Sequence, residues 1–144
     1  MVSGRVILTL GVAAVAAAGF YWLATGDAPP QAVAPAAAGD AMVAVTLPDL
    51  DDNAEIGARA FEAKCAKCHG SNGAGRDGAG PPLIHKIYEP GHHGDMAFLL
   101  AARNGVRSHH WRFGNMPPVK GITDAEVKAI VAFIRRVQKA NGIF

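Results

Sequence analysis

The apolar and polar positions of this chain fall into three regimes. From Val6 to Ala24, nineteen residues pass without a charge. At the rise of an α-helix that run spans roughly 28 Å, close to the hydrocarbon thickness of a bilayer. Phe20, Tyr21 and Trp22 close it, where amphipathic rings favour the lipid–water interface. Arg5 before the run and Asp27 after it predict an inside N-terminus with the rest of the chain outside. Residues 1–25 therefore read as a single-pass transmembrane anchor. The alternative is a cleaved signal sequence, because Ala32-Val33-Ala34 has the small-residue pattern that a signal peptidase accepts. Residues 26–48 are rich in alanine, proline, glycine and valine without a period, the composition of an extended tether.

A helical period begins only beyond the tether. Asp51, Asp52 and Asn53 are good caps for a helix over 54–64, with apolar residues at Ile56, Ala60 and Phe61. Asp95 is placed to cap a second helix running to about Asn104, with Gly105 as its stop. Thr123 and Glu126 make a capping box, and Ile122 a hydrophobic staple, for a last helix ended by Asn141-Gly142. Its apolar stripe is Val127, Ile130, Val131, Ile134 and Val137. Residues 70–94 and 106–121 are punctuated by glycine and proline and read as loop. No stretch reads as a strand, so residues 49–144 are predicted to form one small all-α domain. At about 95 residues its own core is small, and a large apolar cofactor at the centre would help to supply one.

Charge narrows the function without naming it. The chain carries +2 overall, and from residue 51 onward 13 Lys and Arg stand against 9 Asp and Glu, a difference of +4. That is a mild bias, of the kind that steers a docking partner. No basic stripe marks a nucleic-acid surface.

The two cysteines are too few and too close for a disulfide framework. They stand as Cys65-Ala66-Lys67-Cys68, followed at once by His69. Two thiols at this spacing reach the two vinyl-derived carbons on one edge of a haem, and the adjacent imidazole lies under the iron. A redox dithiol has no need of His69 and lacks its βαβ context here. A zinc site would need a second ligand pair at matching spacing. The glycines of Gly73-Ala74-Gly75-Arg76-Asp77-Gly78 formally match a dinucleotide fingerprint, but no strand precedes them and no helix follows.

Around that attachment sequence the chain resembles the class I c-type cytochromes over residues 53–140. Gly57 and Phe61 precede the attachment site, Gly80-Pro81-Pro82-Leu83 follows it, Met116-Pro117 comes later, and Phe133 stands in the last helix. The resemblance implies a cytochrome c-like helical domain around one covalent haem c with its iron. It implies that Gly57 lets the first and last helices cross closely, and that the Pro81 carbonyl accepts from the His69 ring. It also implies Met116 as second axial ligand, in a proline-rich loop that holds the thioether over the haem. His/Met ligation raises the reduction potential and leaves no open coordination position. Met96, at a helical position suited to core packing, and His85, His92, His93, His109 and His110 are the alternative ligands. Met42 belongs to the tether. Trp111, with Arg107 and Arg112 nearby, is a candidate donor to a buried propionate; the alternative is an exposed arginine-rich loop.

The doublets His92-His93 and His109-His110 lie outside the family pattern. They read either as solvated loop residues near the haem edge or as a second metal site, since neutral imidazoles suit copper or zinc. A helix of about 15 Å separates them unless the loops fold back. The expected function is single-electron transfer by a carrier, not an enzyme. Its expected place is the cytoplasmic membrane of a bacterium, with the haem domain on the periplasmic side. Redox proteins, such as membrane respiratory complexes, would be its donor and acceptor. The alternatives are a haem subunit of an oxidase or dehydrogenase complex, and a haem sensor or peroxidase-like domain with a displaceable sixth ligand.

Overall fold

The computed structural model describes residues 41–144; the expected anchor (1–25) and the tether up to residue 40 lie outside the described residues. Helix α1 (Asp52–Lys64) begins where the Asp51 carboxylate accepts the Ala54 N–H at 3.0 Å. It is followed almost directly by the short α2 (Ala66–His69). Helix α3 (Asp95–Asn104) is preceded by Gly94 at the cap position, so Asp95 is its first residue and not its cap. The Asp95 carboxylate is taken instead by Arg135 Nε at 2.8 Å. Helix α4 (Asp124–Ala140) carries the Thr123–Glu126 capping box in both directions. Single 3-10 turns occupy Ser71–Gly73 and Lys86–Tyr88 in the first long loop. Among the described residues there are isolated β-bridges and no strand, so the domain is all-α. No described helix is long and apolar enough to cross a membrane.

The core is organised by the crossing of α1 and α4. A Cβ on Gly57 would sit 2.0 Å from the Ala129 carbonyl oxygen, so the backbones approach as only glycine permits. Beside the crossing, the buried rings of Phe61 and Phe133 meet with centroids 5.7 Å apart. The apolar stripe of α4 is buried along its whole length. Ile130, Ile134 and Val137 join Ala54, Phe61, Leu83 and Ile84 in the larger cluster, while Val127 and Val131 pack with Leu99 and Ala102 of α3.

Three places depart from the sequence pattern. The buried face of α1 runs through Ala54, Gly57 and Phe61, steps of three and four, and leaves Ile56 half exposed. Met96 is 62 % exposed and does not pack in the core. Residues 41–48, read from composition as the end of the tether, lie on the domain. Val43, Val45 and Leu50 pack against the larger cluster, and the Met42 and Val43 N–H groups both donate to Ala74 at 3.1 Å. Thr46 is pinned by Asn141, donating its N–H to Oδ1 at 2.9 Å and accepting from Nδ2 at 2.8 Å. The alternation Val43-x-Val45 is a short period of two inside a composition that suggests none.

Two polar residues of α4 fasten the first long loop. Gln138, fully buried, donates through Nε2 to the Leu83 and Tyr88 carbonyls at 2.9 and 3.0 Å, and its Oε1 accepts from Arg135 at 2.6 Å. Arg135 also donates to the carbonyls of Tyr88 and His93, and lies over the Phe98 ring with 5.0 Å to its centroid. The loops fold back over α3: His92 Nε2 and His110 Nε2 lie 3.3 Å apart, so the helix does not hold the doublets apart.

Candidate cofactor site

Cys65 stands at the junction of α1 and α2, and its carbonyl accepts N–H groups from Cys68 at 3.1 Å and His69 at 2.9 Å. This tight winding delivers Cys65, Cys68 and His69 to one cavity of about 670 Å³, a size that suits a large cofactor. Phe61, Leu83, Phe98, Val127 and Ile130 supply apolar walls. Burial pushes the Cys65 thiol up to about 11, with smaller contributions from Cys68 and Glu62, so the free side chain is held protonated. Burial lowers His69 below the ordinary histidine value, partly opposed by the Pro81 carbonyl. That carbonyl lies 2.9 Å from His69 Nδ1. A carbonyl only accepts, so Nδ1 carries the proton and Nε2 keeps its lone pair.

Pro81, Trp111 and Met116 line the same cavity, so all six residues singled out from the sequence come together in it. Met116 is held through its backbone: Met116 and Val106 exchange both N–H···O bonds at 2.9 Å. Gly105, which ends α3 with φ +74°, makes this pairing possible, since a Cβ there would lie 2.5 Å from the Met116 carbonyl oxygen. The Trp111 indole N–H is buried and has no hydrogen-bond partner. Its neighbour is the Tyr88 phenol, pushed up by burial and eased back by the indole, but the two do not meet in normal hydrogen-bond geometry.

Among the other candidate iron ligands, His93, His109 and His110 line the cavity, whereas Met42, His85, His92 and Met96 do not. His85 sits edge-on to Trp111 with ring centroids 5.2 Å apart, and accepts the Ile87 N–H through Nδ1. Arg107 and Arg112 are exposed and outside the lining, which leaves Trp111 as the donor facing the cavity from that group. Sequence reasoning missed Val106, Arg135 and Gln138, all of which position the walls. A signal existed for Gln138 alone, a polar residue four positions after Ile134 on the buried stripe.

These residues fit a covalent porphyrin: two thiols, a neutral imidazole and a thioether in one apolar cavity, with an unsatisfied donor suited to a carboxylate. The family model for cytochrome c matches residues 54–138. A search of curated proteins finds no match.

Proposed function

This chain belongs to the cytochrome c family, and on that premise we propose a membrane-tethered one-electron carrier whose haem iron is held by His69 and Met116. The family binds covalently attached haem c with its iron, which supports haem-based electron transfer. Bound haem supplies the one-electron Fe(III)/Fe(II) couple. Cys65 and Cys68 supply the thioether sulfurs. His69 supplies Nε2 to the iron while its Nδ1–H stays on the Pro81 carbonyl, which fixes the ring's orientation and raises its basicity. The Met116 thioether would be the second ligand to the iron, and the Trp111 indole N–H would be the donor to a propionate. The apolar walls would shield the iron from water.

The observation that carries this reading is the shared cavity, with Met116 on its wall and its backbone locked to Val106. Absorption spectra of the oxidised protein test it. The wild type should show a weak red sulfur-to-iron band that a Met116→His variant lacks. A wild type without that band would give the sixth position to His93, His109 or His110, which line the same cavity. Rapid carbon monoxide binding by the reduced protein at neutral pH would replace the carrier by a sensor or peroxidase-like domain.

The tethering rests on the uncharged run from Val6 to Ala24. On this reading the haem domain faces the periplasmic side of a bacterial cytoplasmic membrane, with redox proteins there as donor and acceptor. Retention of the chain in membranes after alkaline washing, together with protease access only from the periplasmic side, is the expected result.

A further inference from the structure

The four histidines of the two doublets gather at the rim of the cavity. His92 meets His110, and His93 meets both His109 and His110, with ring centroids 5.2 to 5.9 Å apart. The ligand nitrogens of His92, His93 and His110 all lie within 4.8 Å of one another. We propose that these three residues bind one divalent late first-row transition ion, Zn²⁺ or Cu²⁺, with His109 beside them.

Three observations carry this. The first is spacing: His92 Nε2 and His110 Nε2 are 3.3 Å apart. Two imidazole nitrogens bound tetrahedrally at 2.0–2.1 Å to one ion stand about 3.3 Å apart. The remaining separations close by small rotations of the exposed His92 and His110 rings. The second is the state of His93. Its Nδ1–H donates to the Ile87 carbonyl at 2.6 Å, the support that metal-bound histidines use to present Nε2 as a lone pair. A hydrogen bond between His92 and His110 alone would account for their pair, but not for the third ring turned to them. His109 has the same arrangement, with Nδ1 on the Arg107 carbonyl at 2.9 Å.

The third is the frame. The His92 and His93 N–H groups both donate to the Glu89 carbonyl, at 3.0 and 2.9 Å, and Arg135 of α4 holds the His93 carbonyl. His110 comes from a loop whose ends are joined by the Val106–Met116 pair. The cluster holds imidazoles and no carboxylate, which suits zinc and copper and not the oxygen-seeking magnesium or calcium. His92 and His110 are exposed, so an ion reaches the site from solvent.

The site rests on Met116 holding the iron, since His93 and His110 line the same cavity, and the sulfur-to-iron band reports that ligation separately from metal uptake. The test uses the full-length, haem-loaded protein in detergent, where both cysteines are thioethers and compete for no metal. After stripping with EDTA, it is titrated by calorimetry with Zn²⁺, with Cu²⁺ and with Mg²⁺. One equivalent of Zn²⁺ or Cu²⁺ per haem is expected, and no Mg²⁺. Removing supporting groups alone weakens metal sites by about 10- to 100-fold, so His92→Gln/His110→Gln should weaken binding by about 100-fold or more. His92→Gln alone, outside the cavity lining, should cost about tenfold with the haem spectrum unchanged. Bound Cu²⁺ should show imidazole nitrogen hyperfine structure in its electron paramagnetic resonance spectrum, lost in the double variant. The proposal is overturned if the wild type takes up neither ion stoichiometrically. It is equally overturned if both variants bind as the wild type does, which would leave a hydrogen-bonded imidazole pair only.

Discussion

Along the crossing of α1 and α4, apolar side chains meet face to face, and Gly57 brings the two backbones into contact. Around the cavity, residues 83–93, apart from the turn at Lys86–Tyr88, and 105–119 follow no regular path, and discrete hydrogen bonds fix them: Gln138 on Leu83 and Tyr88, Arg135 on His93, Val106 on Met116, Val119 on Ala102. The crossing is stabilised by filled volume, which degrades gradually as atoms are removed. The cavity wall rests on a few directional bonds, each costly to leave unmade, and on the cofactor filling the space between. The helical half of this domain can therefore stand on packing, while the loop half depends on what it encloses.

Removing the cofactor should separate the two halves most widely. Without the cofactor the apolar walls of this cavity lose the surface they pack against, and a domain's whole stability is only about 5–15 kcal/mol. A Cys65→Ala/Cys68→Ala chain without haem should lose its near-ultraviolet circular dichroism and its cooperative thermal transition. A sharp transition in that chain would mean that the loop bonds suffice by themselves. Gly57→Val attacks the other half. With a Cβ already overlapping the Ala129 carbonyl, it should cost about 3 kcal/mol in urea unfolding of the haem protein, at the upper end for overpacking. The folded fraction should keep the wild-type haem spectrum.

Gln138→Leu sharpens the contrast, because it keeps the volume and removes the bonds. It takes the Gln138 donor from the buried Leu83 carbonyl, leaves Tyr88 with Arg135 alone, and should cost about 1–3 kcal/mol. Amide exchange should accelerate around Tyr88 to His93 and not along α1; equal acceleration in both would erase the distinction. The smallest effect is expected at the start of α4. Thr123→Ala removes one half of the capping box for about 1 kcal/mol, read as a lower urea midpoint with unchanged cavity spectroscopy.

The difference between the halves also explains what could be read from the sequence. Helix ends were legible where capping uses particular side chains, as at Asp51 and at Thr123 with Glu126. The stripe of α4 was legible because burial there follows the helical period. On α1 the apolar count found Phe61 but was misled by Ile56, and Gly57, which adds nothing to such a count, was legible only through the family resemblance. The cavity residues were legible by type: thiols, imidazole, thioether and indole stand out anywhere in a chain. What holds them was not, because most of those bonds end on backbone carbonyls that every residue possesses. The return of the two loops over α3, which joins the histidine doublets, has the same origin. Its anchors are carbonyls of Glu89, Tyr88 and Ile87, with no residue type to announce them.

The exchange of hydrogen bonds between Val106 and Met116 has a further consequence for how this protein can change. It pinches the intervening segment, residues 107–115, into a bight whose two ends are fixed whatever lies between them. Substitutions at exposed residues of that bight such as Arg107 and Arg112, away from Trp111, alter what the molecule presents at its rim while the Val106–Met116 pairing holds the two ends. The exposed part of the segment is therefore open to new recognition chemistry, while Trp111 ties the rest of it to the cavity.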